Sequence, residues 1–404
     1  MNLAQASERV GLRRAFEKYF GKSSTVLRCA LAPGRVNLIG EHTDYNGGLV
    51  LPLAIARHTA VVFRPTAEKT VRVYASDLNP SDHAPEDSFS VRGPIAKHTR
   101  PRLRWANYVR GVAASLQRKG IALHGGEILL HADLPRGAGL SSSASLEVGF
   151  ALALLALAGR KLDPQSTAFA AQWAEHNYAG VRCGIMDQSV VARGQAGHAL
   201  MLDCLKLSVR HVPLRLKGWA FALFDTGVRH ELGASEYNKR RAECERAAKI
   251  LGCGTLRECG FEALLKRGKQ LTPGEHARAR HIWGENIRVA QFAELLARGD
   301  AEGLGRLLIQ SHLSLQHDYQ VSCAELDFVA NRLAAPESKA LHGACVGARM
   351  TGGGFGGAVV ALIRPQKFAA LRADLERPYS KRFKLKLGGA MLIEPAAGAK
   401  VLPL

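Results

Sequence analysis

Acidic residues are in short supply. The 404-residue chain carries 35 Asp and Glu against 55 Lys and Arg, a formal net charge of +20 with a pI near 9.9. A field of that sign draws phosphates of every kind, from nucleotides and sugar phosphates to nucleic acid. The basic clusters at Lys97 to Arg104, Lys239 to Arg241 and Lys381 to Lys386 do not alternate with aromatics as a single-strand groove requires. A solvated basic surface, with no nucleic-acid partner, is therefore expected. Long apolar runs are missing too. The most apolar stretch, Gly149 to Gly159, is too short to cross a bilayer and reads as a buried core helix. The first residues are charged throughout, with no apolar h-region. The eight cysteines form no Cys-x-x-Cys pair and no zinc-type grouping with histidine, so they are expected as reduced, mostly buried thiols. A soluble, cytoplasmic protein without a membrane partner is the expectation. A Walker A loop is also absent, since Gly21-Lys22-Ser23 has Phe16 where the leading glycine should stand.

What is present is an ordinary globular composition, 47% hydrophobic and 22% charged, at a length that suggests two domains. β-rich stretches occur at Thr25 to Ala32, His58 to Arg64, Thr70 to Ala75 and Glu127 to Ala132, with helices from Arg104, from Ser142 to Leu157 and from Gln165 to Tyr178. A strand pair is expected at His198 to Cys204 and Trp219 to Asp225. Helical segments follow at Ser235 to Leu251, Glu275 to Arg298, Ala301 to His312 and Cys323 to Leu333, then a strand at Ala358 to Arg364 and a helix at Gln366 to Glu376. Strands and helices interleave without a regular βαβ repeat, which predicts an α+β architecture of two halves, 1–190 and 191–404. No Gly/Ser linker separates them, so they should pack closely around a site.

Three segments carry chemistry. In APGRVNLIGEHTDYNGG, Ala32 to Gly48, the residues Glu41, His42 and Asp44 fall within four positions of a glycine-flanked, exposed turn. Carboxylates that accept hydrogen bonds suit a neutral polyol, whose hydroxyls each donate once, and charged hydrogen bonds of about 1.5–3 kcal/mol can set stereochemistry. The alternatives are an ordinary charged turn or a metal site, although no second histidine lies near. In LPRGAGLSSSASL, Leu134 to Leu146, a strand runs into a Gly/Ser loop that opens an apolar helix; small residues and free amides there suit a phosphate, with Ser142 or Ser143 available to phosphate or magnesium. The alternative is a serine-rich helix cap. In RMTGGGFGGA, Arg349 to Ala358, five glycines in six positions imply close approach of something. The Gly-x-Gly-x-x-Gly match at Gly352, Gly354 and Gly357 has no acidic residue at dinucleotide spacing, so a glycine-rich wall beside a ligand is the better reading.

Taken in order, these segments resemble the galactokinase family of the GHMP kinase superfamily. RWANYVRGV from Arg104, CGIMDQ from Cys183, SEYNKRRAEC from Ser235, DYQVSCAELD from Asp318 and GAKVLPL extend the likeness over nearly the whole chain. The resemblance implies a two-domain α+β fold, an N-terminal domain like ribosomal protein S5 domain 2 joined to a ferredoxin-like C-terminal domain. The active site lies in their cleft, and the last residues fold back on the first domain. It also implies transfer of the ATP γ-phosphoryl group to the anomeric hydroxyl of galactose, with Mg2+, by a monomer. Position by position, Asp187 matches the catalytic aspartate and Arg35 the arginine beside it. Glu41, His42, Thr43, Asp44, Gly184 and Tyr237 match the sugar contacts. Gly137, Ala138, Gly139, Leu140, Ser141, Ser142 and Ser143 match the ATP-phosphate loop, and Ser143 and Glu175 the magnesium ligands. Trp105 would lie near the adenine or pack within its own helix. One departure stands out: Asp225-Thr226-Gly227 occupies a place where several relatives have Asn-Ser-Asn, which bears on the shape of the sugar pocket.

Overall fold

A computed structural model describes residues 3–135, 139–229 and 233–404. The first part of the chain lays down α1 (Leu3–Phe20), β1 (Arg28–Asn37), β2 (Leu49–Val50), β3 (Pro52–Pro65), β4 (Thr70–Ala75), β5 (Glu86–Ser90), α2 (Ala106–Arg118), β6 (Gly126–Ala132), α3 (Ser142–Leu157), α4 (Pro164–Ala174) and α5 (Met186–Arg193). The second part adds β7 (His198–Asp203), β8 (Ser208–Pro213), β9 (Ala220–Asp225), α6 (Gly233–Leu251), α7 (Leu256–Arg267), α8 (Pro273–Arg298), α9 (Ala301–Ser314), α10 (Ala324–Ala334), β10 (Cys345–Thr351), β11 (Ala358–Ile363), α11 (Phe368–Phe383), β12 (Gly389–Leu392) and β13 (Lys400–Pro403).

Among the described residues the strands form three sheets. The largest runs β13-β1-β3-β6-β4-β5, the second β10-β11-β9-β12 and the smallest β2-β7-β8. The expected strand pair is thus split: β7 pairs with β8 and β2, whereas β9 pairs with β11 and β12. Each pairs where its faces find cover: Leu200 and Leu202 of β7 join a cluster with Val50 and Val190, Ala222 and Phe224 of β9 join that of the second sheet, and Ala199, Phe221 and Leu223 share a third. Helix α3 starts and stops where the sequence places it, at Ser142 and Leu157. It is apolar on every side because it is wedged between the first sheet and the neighbouring helices α2, α4 and α5. Local signals explain other boundaries. Asp163 caps α4 ahead of Pro164, and Thr272 with Glu275 forms a capping box that starts α8.

One apolar cluster packs the first sheet against α2 and α3, through residues such as Phe63, Val112, Leu130 and Phe150. Another packs the second sheet against α6, α8 and α10, through Phe224, Ile282, Leu326 and Val359. A third belongs to both halves: Val36, Leu38, Leu51 and Leu53 from the first meet Leu223, Phe292, Leu308 and Val360 from the second. Cys253 and Cys259 form a disulfide, which corrects the expectation that all eight cysteines are thiols. Their six-residue separation fits no motif, and the pair meets because a short turn after α6 brings α7 back beside it. Of the other six, Cys29, Cys244 and Cys345 are buried.

Candidate active site

The long strand β1 changes register against β3 between Pro33 and Gly34. That irregularity re-aims the following residue, Arg35, toward the first turn of α5, where Asp187 sits. The two side chains form a two-pronged pair, Arg35 Nε to Asp187 Oδ1 at 2.8 Å and Arg35 Nη2 to Asp187 Oδ2 at 2.8 Å. The remaining arm of Arg35 donates to the Gly139 carbonyl, and the Ser141 hydroxyl donates to Asp187 Oδ2. The Arg35 backbone N–H donates to the Leu140 carbonyl at 3.1 Å. The serine-glycine loop is therefore latched to β1. Gly34 permits this: a Cβ there would lie 2.4 Å from Leu134 and 3.0 Å from the Leu140 carbonyl.

The Glu41 to Asp44 turn is buried, not exposed as the sequence suggests. Glu41, His42 and Thr43 are 2%, 4% and 0% exposed. The cover comes from the distant RMTGGG segment, whose strand end lies over the turn. Glu41 Oε1 accepts from the Thr351 hydroxyl at 2.9 Å and the Gly352 N–H at 2.8 Å, and faces Arg349 Nη2 at 3.1 Å. Half of this carboxylate is thus committed to the protein. His42 adopts a left-handed backbone, φ 63°, and its Nδ1 is bonded to the Tyr45 hydroxyl at 2.8 Å. Burial, reinforced by His281, pushes its pKa down to about 3, so the ring is neutral. Thr43 differs from the other matched residues. Its hydroxyl lies 2.9 and 2.7 Å from the Gly40 and Leu49 carbonyls, tying the turn to itself rather than facing the cavity. Asp44 is pushed up to about 7, first by burial and then by the charge of Asp187. Gly184 lies flat against it, since a Cβ there would sit 1.9 Å from Asp44 Oδ2.

A cavity of about 310 Å³ gathers Arg35, Glu41, His42, Asp44, Glu175, Gly184, Asp187, Tyr237 and Gly352 to Gly354. A second, about 270 Å³, opens on the other side of Ser142 and Ser143 and is lined by Trp105, Tyr108, His83, Leu78 and Leu130. Trp105 lines this second cavity and also packs against its helix cluster, its Nε1 donating to the Ala84 carbonyl at 2.8 Å. Three larger cavities, about 620, 890 and 700 Å³, lie elsewhere and contain none of these residues. Of the loop residues, Gly137 and Ala138 lie outside the described residues. Glu175 begins a π-helical turn that ends α4. Its pKa is raised to about 7 by burial and by Asp187, and Cys183, Ser143 and Gln188 hydrogen-bond its carboxylate. Asp225, where the sequence departs from relatives, is not among the cavity's lining residues; it pairs with Arg229 at 2.8 Å and accepts from the Gly227 N–H.

Such a site, with a polar cage, an arginine–aspartate pair and a Gly/Ser helix start between two adjoining cavities, can hold a polyol and a phosphate donor head to head. Three family signatures match the chain: a galactokinase galactose-binding signature at residues 14–65, a GHMP kinase N-terminal domain at 107–195 and a GHMP kinase C-terminal domain at 292–381. The galactokinase of Chloroflexus aggregans is 44% identical over 91% of both chains, and that of Chloroflexus aurantiacus 43% identical over 93% of both. The chain belongs to the galactokinase family. A solved structure of Lactococcus lactis galactokinase complexed with galactose superposes with a TM-score of 0.89 at 30% identity, covering 97% of this chain and 99% of that one. The fold is the two-domain α+β GHMP kinase fold, and ATP is the co-substrate of a galactokinase-family enzyme.

Sequence reasoning did not find the residues that hold the family's motif in place. Arg349 and Thr351 were visible only as neighbours of a glycine run, although an arginine leading into such a run hinted at a buried charge partner. Ser141, which the resemblance places in the phosphate loop, also turns its hydroxyl to Asp187, a contact its spacing does not signal. Gln188, adjacent to Asp187, bonds Glu175 Oε2 at 2.7 Å, and nothing in its own spacing signals that.

Proposed function

We propose that Arg35 and Asp187 serve, in this chain, the reaction of the galactokinase family: transfer of the γ-phosphoryl group of ATP to the anomeric hydroxyl of D-galactose, giving galactose 1-phosphate and ADP in the opening step of galactose metabolism. The observation that carries this is the pair's position, at the wall of the polar cavity and bonded to the loop that borders the second one. Phosphoryl transfer has a loose transition state, so the protein's work is positioning and charge compensation. Asp187 accepts the proton of the attacking hydroxyl, and Arg35 orients Asp187 and compensates charge on the transferring group. Glu41, His42, Asp44, Gly184 and Tyr237 form the sugar cage, Thr43 shaping it from behind. Gly137 to Ser143 cradle the phosphates, and the second cavity takes the nucleoside beside Trp105.

Ser143 and Glu175 suit a magnesium ion. They supply a hydroxyl and a carboxylate, hard oxygens for a cation that keeps waters and binds mainly through phosphates. The ion would offset negative charge on the β- and γ-phosphates, and it would relieve the crowding of Glu175 against Asp187. The chain divides on this reading into 1–190, bearing the sugar turn and phosphate loop, and 191–404. On this reading the enzyme acts on galactose and ATP as a monomer. The reading carries with it a cytoplasmic enzyme without a nucleic-acid or membrane partner; separately, no helix among the described residues is long and apolar enough to cross a membrane.

A substrate panel tests the reading. With ATP and Mg2+, galactose should have a kcat/KM at least tenfold above N-acetylgalactosamine and arabinose, since an ill-fitting polar group costs about 1.4 kcal/mol or more. Faster turnover of either competitor would overturn the substrate assignment.

The position of Asp44 adds a pH dependence. As a hydrogen-bond acceptor for a sugar hydroxyl it binds best ionised, yet burial and the charge of Asp187 hold its pKa up at about 7. Galactose binding should therefore release about half a proton at pH 7 and weaken by roughly tenfold per pH unit below it, levelling off above about pH 8. Calorimetry in two buffers of different ionisation enthalpy, without nucleotide, reads this directly, with Asp44→Asn as the control that flattens the profile. A flat dissociation constant between pH 5.5 and 8.5 in the unaltered protein would remove Asp44 from that role.

A further inference from the structure

The sugar turn leaves the first half of the chain through Gly40 and Glu41 and returns to it through Gly48 and Leu49. This neck is buried on both sides, so each of its main-chain N–H and C=O groups needs a partner. From within the turn, the Thr43 hydroxyl serves the Gly40 and Leu49 carbonyls. Three further groups are met from outside, all by one helix of the other half, α8. Glu285 Oε1 accepts from the Gly40 N–H at 3.0 Å, and Asn286 Oδ1 accepts from the Leu49 N–H at 2.7 Å. His281 Nε2 donates to the Glu41 carbonyl at 3.2 Å. The main chain fixes the sense of each bond, since an amide N–H only gives and a carbonyl only takes.

The helix is built for this contact. His281, Glu285 and Val289 follow at four-residue intervals and form one stripe against Gly40 and Glu41. The neck lies flush on that stripe: Gly40 has φ 97°, and a Cβ on it would sit 2.9 Å from Val289 Cγ2 and 2.7 Å from the Leu49 carbonyl. His281 and Glu285 are 0% exposed and Asn286 4%, and none of the three lines the sugar cavity. A carboxylate, an imidazole and an amide are tolerable inside only because each is hydrogen-bonded. Asn286 is held at its other end too, its Nδ2 donating to the Ile282 carbonyl at 2.7 Å. Burial alone would push the Glu285 carboxyl up, but the Arg288 guanidinium, 2.7 Å away, helps bring it down to about 2, so it stays ionised.

We infer that His281, Glu285 and Asn286 are positioning residues for the sugar cage: α8 grips the turn at both ends of its neck and so sets where Glu41, His42 and Asp44 stand. The effect on sugar rests on the reading of this cavity as the galactose site; the grip is a property of the free chain. Glu41, His42 and Asp44 follow Gly40 within four residues, so a small shift of the neck moves all three together. Arg35 and Asp187 are secured separately, by each other and by the pairing of Arg35 with Ala54 across β1 and β3. Loosening the grip should therefore weaken the hold on galactose and leave phosphoryl transfer nearly intact. Sugar affinity is in this way governed by the half of the chain that does not carry the turn.

Asn286→Leu keeps most of the volume but leaves the Leu49 N–H without an acceptor. It should raise the galactose KM about tenfold, the worth of one buried hydrogen bond, with kcat and the ATP KM changed less than about twofold. Asn286→Asp keeps an acceptor and should stay within about threefold of the unaltered protein. A residue that served stability alone would lower the denaturation midpoint and leave the galactose KM of the folded variant where it was. Amide hydrogen exchange over residues 40–49 of the free chain reads the grip itself; it should quicken in Asn286→Leu and not in Asn286→Asp. If Asn286→Leu does not fold, Asn286→Ala takes its place in both measurements. An unchanged galactose KM, an unchanged exchange rate, or a rise in KM shared equally by Asn286→Asp overturns the proposal. Asp44→Asn, measured beside these at pH 8, tells the two readings apart. If it weakens galactose binding and Asn286→Leu does not, the grip alone falls; if it leaves galactose binding unchanged, the sugar-site reading falls.

Discussion

Asp187→Asn should fold, bind galactose and ATP with little change, and lose turnover by about three orders of magnitude, within the 10²–10⁴ that general-base catalysis supplies. The exchange keeps the shape of the side chain and one oxygen to accept from Arg35, so the bulge of β1 and the start of α5 have no reason to move. The side chain of Asp187 is 24% exposed, and the pair with Arg35 is partly wet, so removing one charge costs less stability than breaking a dry ion pair. What disappears is the acceptor for the proton of the attacking hydroxyl. Steady-state kinetics with calorimetric binding of each substrate separate the two effects. Near-normal kcat would take Asp187 out of the catalytic role, and a lost galactose affinity with unchanged kcat would make it a sugar ligand instead.

Arg349→Leu has the largest expected effect on stability, a loss of about 3–5 kcal/mol. Arg349 is fully buried, and its guanidinium faces Glu41 at 3.1 Å and donates to the Leu38 carbonyl at 2.9 Å. Leucine fills most of the volume but strands the Glu41 carboxylate, 2% exposed, with only the Thr351 hydroxyl and Gly352 N–H as partners. Chemical denaturation should show the midpoint falling, with galactose affinity falling beside it because Glu41 shapes the sugar cage. Adding Glu41→Gln should recover part of the stability but none of the affinity, since a neutral amide does not need the cation. A midpoint unmoved by Arg349→Leu would mean that the pair is not the keystone of the buried turn.

How much of this was readable in advance depended on range. Helix α3 was legible to the residue because its cue is local: a Gly/Ser loop, then sixteen residues with hardly a charge. The order of the motifs gave the fold and singled out Arg35 and Asp187, which the structure joins in a two-pronged pair. Burial of the Glu41 turn was not legible, because Gly, His, Asp and Glu in close succession look like surface until Arg349 to Gly352, three hundred residues later, close over them. Strand β10 escaped for the same reason: CVGARMT places a glycine and an arginine where a buried strand usually has apolar residues, and only the distant Glu41 makes that arginine tolerable inside. Helix α1 was missed because its charges mask a narrow apolar stripe, of which Leu12 and Phe16 are the buried part. The split of β7 from β9 turns on which strands stand beside each, a property of the assembled sheets and not of either segment.

The apolar cluster shared by both halves has a bearing on traffic through the cleft. Leu38 and Leu53 interlock with Phe292 and Leu308 on the far side of the wall that bears the sugar turn. Prising the halves apart would wet that whole interface, so the width of the cleft is set by a solid floor. Sugar and nucleotide must then come and go past the rim, over the chain segments bordering the two cavities, and whatever gating the turnover cycle needs falls to those edges.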